Sequence, residues 1–150
     1  MRALTDAVLA GTGDDAIEGV EVVVKPALEA TADDVLAADG YLLGTPANFG
    51  YMSGALKHFF DSTYLQVGGQ LAELPPGEAP STAGRPYGLY VHGRYDTVGA
   101  VRSVQSIVGG LKWHQAAEVL EVMGDVEESH LAAAYDLGGT IAALVSPDHT

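Results

Sequence analysis

Asp39-Gly-Tyr-Leu-Leu-Gly-Thr-Pro-Ala-Asn-Phe-Gly-Tyr-Met-Ser-Gly-Ala-Leu-Lys-His-Phe-Phe-Asp61 is the stretch from which the rest of the chain can be read. Tyr41-Leu42-Leu43 is a short apolar run between Gly40 and Gly44, too short for a helix, and reads as a buried strand. Thr45–Gly50 reads as a loop, because Pro46 cannot donate to a central ladder and Asn48 and Gly50 tolerate positive φ. From Met52 the apolar period becomes helical. Met52, Ala55, Leu56, Phe59, Phe60 and Thr63 share one face, with Ser53, Lys57 and Asp61 on the other. A strand that stops in a Pro/Gly loop and restarts as a helix leaves backbone N–H groups free at its carboxyl end. In open α/β sheets ligands sit there.

Working outward, Leu4, Ala7, Val8 and Gly11 have helical spacing, so the chain starts in or just before a helix. Val20–Lys25 is β-branched and closed by Pro26, which predicts a strand. Thr31 with Asp34 predicts a capped short helix ended by Gly40. Residues 65–85 hold Gly68-Gly69, Pro75-Pro76-Gly77, Pro80 and Gly84, and read as a long irregular connection. Pro86–His92 is a second buried strand, followed by a polar loop at His92–Thr97. Val101, Val104, Val108 and Leu111 mark a helix, Glu118–Met123 a strand. Asp125 with Glu128 predicts the capped start of a last helix that turns Leu131, Ala134, Gly138, Ile141 and Val145 inward. The alternation of four strands with about five helices predicts a parallel sheet with helices on both faces, in one domain over residues 1–150.

Composition narrows the function. The chain of 150 residues is 47% hydrophobic and 18% charged, a globular balance, and no apolar run reaches the length of a membrane span. There is no cysteine, which removes disulfides and thiol chemistry, and a cytoplasmic protein is the expectation. The net charge of −13, with only seven Lys and Arg, argues against nucleic acid. His58, His114, His130 and His149 have no spacing that would gather a metal, and none is expected. Neither a Gly-x-Gly-x-x-Gly turn nor a Gly-x-Ser-x-Gly elbow is present.

The run Gly44–Asp61 resembles the third-strand loop and following helix of flavodoxin-like FMN proteins, above all the NAD(P)H:quinone oxidoreductase and NADPH-dependent FMN reductase branches. The resemblance implies a three-layer α/β/α flavodoxin-like fold with a parallel sheet. It also implies FMN as cofactor, NAD(P)H as transient donor, and a quinone or similar small acceptor, or a redox partner protein. By resemblance, Thr45, Pro46, Ala47, Asn48, Phe49 and Gly50 lie against the flavin ring, and His92, Gly93, Arg94, Tyr95 and Asp96 meet its pyrimidine side. Phe49 is a candidate for stacking or for capping the core, Arg94 for the flavin N1–O2 edge or a surface ion pair, and His92 for a flavin contact or a neighbouring backbone group. No indispensable acid or base stands out. Members of this family begin with a strand and a Ser/Thr/Gly-rich loop that cradles the FMN phosphate. This sequence starts one element late, so the first strand and phosphate loop are expected to be absent, and FMN affinity low. A homodimer is expected, as among relatives. The readings that remain are an FMN oxidoreductase, a flavodoxin-type electron carrier, and a flavodoxin-like domain without flavin.

Overall fold

The computed structural model describes residues 1–69 and 74–147. Residues 70–73 of the predicted irregular connection, and His149, lie outside them. The elements run α1 (Arg2–Thr12), α2 (Ala32–Ala37), β1 (Tyr41–Asn48), β2 (Tyr51–Met52), α3 (Gly54–Thr63), β3 (Pro86–Gly93), α4 (Val98–Gly110), β4 (His114–Gln115), β5 (Leu120–Met123) and α5 (Glu128–Val145). The fold is a flavodoxin-like α/β sheet with helices on both faces.

β3 is the central strand, and Tyr87–Val91 are all buried. It pairs in parallel with β1, from Tyr41↔Tyr87 to Pro46↔His92. On its other side it meets β4 through Pro86↔His114 and β5 from Tyr90↔Leu120 to Gly93↔Met123, so β4 and β5 share one strand position. β2 folds back antiparallel on the end of β1.

One face of the sheet is covered by α1 and α5, whose Leu4, Val8, Ala134 and Leu137 pack with Tyr90 and Val122. Glycine lets these helices touch. A Cβ on Gly138 would stand 2.0 Å from the Val8 carbonyl oxygen. On the other face α3 and α4 bury Leu56, Phe59, Phe60, Val104 and Val108 against Leu89 and Val91. Each such side chain removed from water contributes roughly 1.5–3 kcal/mol before entropy is subtracted.

Three expectations need correction. Val20–Lys25 is not a strand. It runs between Gly19 and Pro26 without a turn or a ladder partner, and Val22, Val23 and Val24 are exposed. β-branched composition supplies the propensity, but a strand exists only where a neighbour accepts its bonds. Secondly, the sheet has five strands rather than four, because β1 continues through Pro46 to Asn48 and β2 and β4 are added. Pro46 is tolerated because β1 has β3 on one side only at that point, so the missing N–H falls on an open edge. Finally, the start of α5 is not capped by Asp125 and Glu128. Glu127 is the N-cap, and its N–H donates to His130 Nδ1 at 2.9 Å. The Thr31/Asp34 capping box is present as expected.

The described part of the 65–85 connection is anchored. Thr82 is fully buried, donates to the Val67 carbonyl at 2.9 Å and accepts from Trp113 Nε1 at 2.7 Å.

Candidate functional site

The carboxyl ends of β1, β3 and β5 come together, and each continues into a loop. The first is a two-residue hairpin. Asn48 pairs with Tyr51, leaving Phe49 (φ 51°) and Gly50 (φ 75°) at the tip, both in the left-handed region of a type I′ turn. For glycine this is free. For Phe49 it costs on the order of 1–2 kcal/mol. The hairpin base is stapled by buried Thr45, whose Oγ1 accepts from Ser53 N–H at 2.9 Å and donates to the Pro46 carbonyl at 2.8 Å. Ser53 in turn accepts from Leu56 N–H and caps α3.

The second loop packs directly on the first. A Cβ on Gly93 would lie 3.0 Å from Ala47 Cβ, and one on Gly99 would lie 2.3 Å from the Gly50 carbonyl oxygen. Asp96 stands beside Gly50, and its Oδ1 accepts from Val98 N–H at 2.9 Å, capping the start of α4. Thr97, buried at the same turn, donates to Glu121 Oε1 of β5 at 2.8 Å.

At the third loop, Gly124 N–H donates to the Gly93 carbonyl at 2.8 Å, and His92 Nε2 donates to the Gly124 carbonyl at 2.6 Å. His92 Nδ1 lies 3.4 Å from the Met1 nitrogen at the start of α1. Arg94 and Asp125 approach only to 3.8 Å and both are mostly exposed, an ion pair worth about 0–1 kcal/mol.

Thr45–Gly50 and His92–Asp96 therefore form one continuous surface across two adjacent strand ends. Within it the polar side chains divide. Thr45, His92 and Asp96 are engaged in holding the loops, whereas Phe49 (109% exposed) and Tyr95 (91% exposed) make no use of their rings inside the molecule. Tyr51, next to the hairpin tip, and Met123, paired with Gly93 from β5, are also exposed. Sequence reasoning passed over Thr97, Glu121 and Gly124. The signal for Gly124 was a glycine directly after a strand; nothing marked the Thr97–Glu121 bond, which depends on the β3–β5 pairing.

A flavin ring suits this surface. Two uncommitted aromatic faces, a hairpin exposing backbone groups, and a single nearby guanidinium match a planar heterocycle with carbonyl edges. A phosphate is less well served: among the described residues no Ser/Thr-rich loop stands at this end of the sheet. Nor do any three His, Asp or Glu side chains group as metal ligands among the described residues.

The chain is 42% identical over 63 residues to a flavodoxin of Aquifex aeolicus, covering 42% of this chain and 34% of that protein. It is 30% identical over 135 residues to a probable NAD(P)H dehydrogenase (quinone) of Arabidopsis thaliana, covering 78% of this chain and 50% of that one. The chain thus spans half or less of the length of these curated relatives. A flavodoxin structure from the domain Archaea superposes with a TM-score of 0.73 at 15% identity, over 94% of this chain and 87% of that one, which shows the fold. A model of the family described as NADPH-dependent FMN reductase matches residues 9–125. The chain belongs to the NADPH-dependent FMN reductase family.

Proposed function

We propose that this chain is a flavin-dependent oxidoreductase domain that takes electrons from NAD(P)H and passes them to a quinone or similar small acceptor. The observation that carries the reading is the pair of exposed rings, Phe49 and Tyr95, on abutting strand-end loops. FMN, when bound, would supply the hydride-accepting chemistry.

The residues divide the work as follows. Phe49 and Tyr95 flank the ring plane and keep water from it. Backbone groups of Ala47–Gly50 meet its polar edge, with Pro46 fixing the entry of the loop. Arg94 favours negative charge on the pyrimidine side, being free enough to leave Asp125. Thr45, His92, Gly93 and Asp96 hold the two loops in register. On this reading the protein acts in the cytoplasm on small molecules, without a nucleic-acid or membrane partner. Separately, no helix among the described residues is long and apolar enough to cross a bilayer.

A second reading, an electron carrier, is favoured by the charge of −13 and by the flavodoxin relative. Stopped-flow reduction at saturating FMN decides between them. An oxidoreductase bleaches the flavin absorbance with NADPH on the turnover time scale. A carrier leaves it yellow over many seconds, and that result would overturn the proposal.

A further inference from the structure

We infer that the outer edge of β5, with the groove beside it, docks an extended segment of a partner protein that presents basic residues at every second position. The groove comes from a break in the strand. Gln115 pairs with Tyr87 and Leu120 with Tyr90, so residues 116–119 stand where β3 has only residues 88–89. The extra residues push the chain outward as a bulge. A groove of about 490 Å³ lies between this bulge and α5, and its lining includes Ala117, Glu118, Leu120, Ala133, Asp136 and Leu137.

The edge supplies the main-chain half of a docking site. Gly124 N–H donates to the Gly93 carbonyl. Backbone groups alternate along a strand, so Leu120 and Val122 also turn theirs toward β3, and those of Glu121 and Met123 turn outward. Among the described residues no strand pairs with that outer side. An open edge of this kind takes an extended peptide as an added strand.

The groove selects what the added strand carries. Its floor is apolar, and the carboxylates of Glu118 and Asp136 stand at it without a hydrogen bond or ion pair among the described residues. Ala133 and Leu137 suit the methylene stem of a lysine or arginine, and the two carboxylates suit its head. Such side chains reach one face of a strand from alternate positions. A second copy of this chain is a poor occupant. Its own edge, Glu118-Val119-Leu120-Glu121, brings carboxylates toward carboxylates on a chain of net charge −13. Glu118, Ala133 and Asp136 lie outside the loops of the proposed flavin site, so the inference stands apart from that reading.

The test is heteronuclear NMR of the full chain, with a capped heptapeptide of alternating lysine and valine as the probe. The expected result is saturable shifts of amides in residues 117–123 and 133–140, with a dissociation constant on the order of 100 μM. Methylating the backbone nitrogens of the probe's lysines, or those of its valines, removes the donors of one edge. One of these two probes then binds about tenfold more weakly. Glu118→Lys combined with Asp136→Lys weakens binding about tenfold with an unchanged circular dichroism spectrum, since both side chains are exposed. Ala133→Leu fills the groove and weakens binding about threefold with both carboxylates in place. Shifts scattered over the acidic surface, or none that saturate, overturn the inference. So do two methylated probes that both bind like the parent, or a glutamate–valine peptide that binds as well.

Discussion

The two ends of the sheet use similar residues for opposite purposes. At the amino end, Arg85, Tyr41 and Trp113 are closed on one another. One Arg85 nitrogen sits within hydrogen-bonding distance of the carbonyls of Val35, Leu36 and Ala38, at 3.1, 3.0 and 2.9 Å, and of Tyr41 Oη at 3.1 Å, so its two N–H groups are shared among the acceptors at the end of α2. Tyr41 donates onward to the Val35 carbonyl and stacks on Trp113 with ring centres 4.0 Å apart. Burial holds the Tyr41 phenol above its usual pKa, with Arg85 opposing. At the carboxyl end, an arginine and two aromatics sit just as close in the chain to a strand, yet Arg94, Tyr95 and Phe49 are left exposed. Aromatics and arginine are stabilising where they are enclosed, and available where they are not. The second arrangement costs stability, most visibly in the left-handed backbone of Phe49.

The contrast is broken most severely at the amino end. Trp113→Ala removes the stacked ring and the bond to Thr82, and is expected to cost about 3–5 kcal/mol in denaturant melts. Arg85→Met leaves the α2 carbonyls to water and is expected to cost about 1–2 kcal/mol, since part of the site is already wet. Phe49→Gly goes the other way. Relief of the positive φ makes the protein more stable by up to about 1 kcal/mol, while flavin affinity falls. A loss of stability there would show that Phe49 serves the core.

The smallest effect is on pH. Asp34 is held below the usual carboxylate pKa, chiefly by Lys25, then by the Thr31 N–H; Asp14 is lowered chiefly by the Tyr135 hydroxyl, then by the Ala16 N–H. Folded pKa values below the unfolded ones give stability that is present above the ordinary carboxylate range and lost as pH falls through the lowered values. Tyr90 is raised by burial, so its contribution is complete below pH about 10 and is lost as pH climbs beyond. The part of the melting-temperature curve that these three groups set is therefore expected to be flat between these limits.

Much of this was legible in the chain. The 3.6-residue periods of α3, α4 and α5 placed Leu56, Phe60, Val104, Val108, Ala134 and Ile141 inside, where they are. Val20–Lys25 was misread because propensity is local and pairing is not. The cap of α5 was displaced because a His130 ring nitrogen does the work usually given to Glu or Gln. At the site, the two loops were legible as glycine- and proline-marked strand ends. What could not be read was which polar groups the fold would consume: His92 is engaged by the Gly124 carbonyl and Asp96 by the Val98 N–H, both set by how neighbouring strands line up.

On the function proposed above, the carboxyl end of the sheet holds a flavin by its ring, with little help from a phosphate site among the described residues. Fluorescence titration of this chain with FMN and with riboflavin tests it most directly. Quenching by both flavins is expected, each weaker than about 1 μM and within about threefold of the other. A submicromolar FMN constant with a large preference over riboflavin would contradict it.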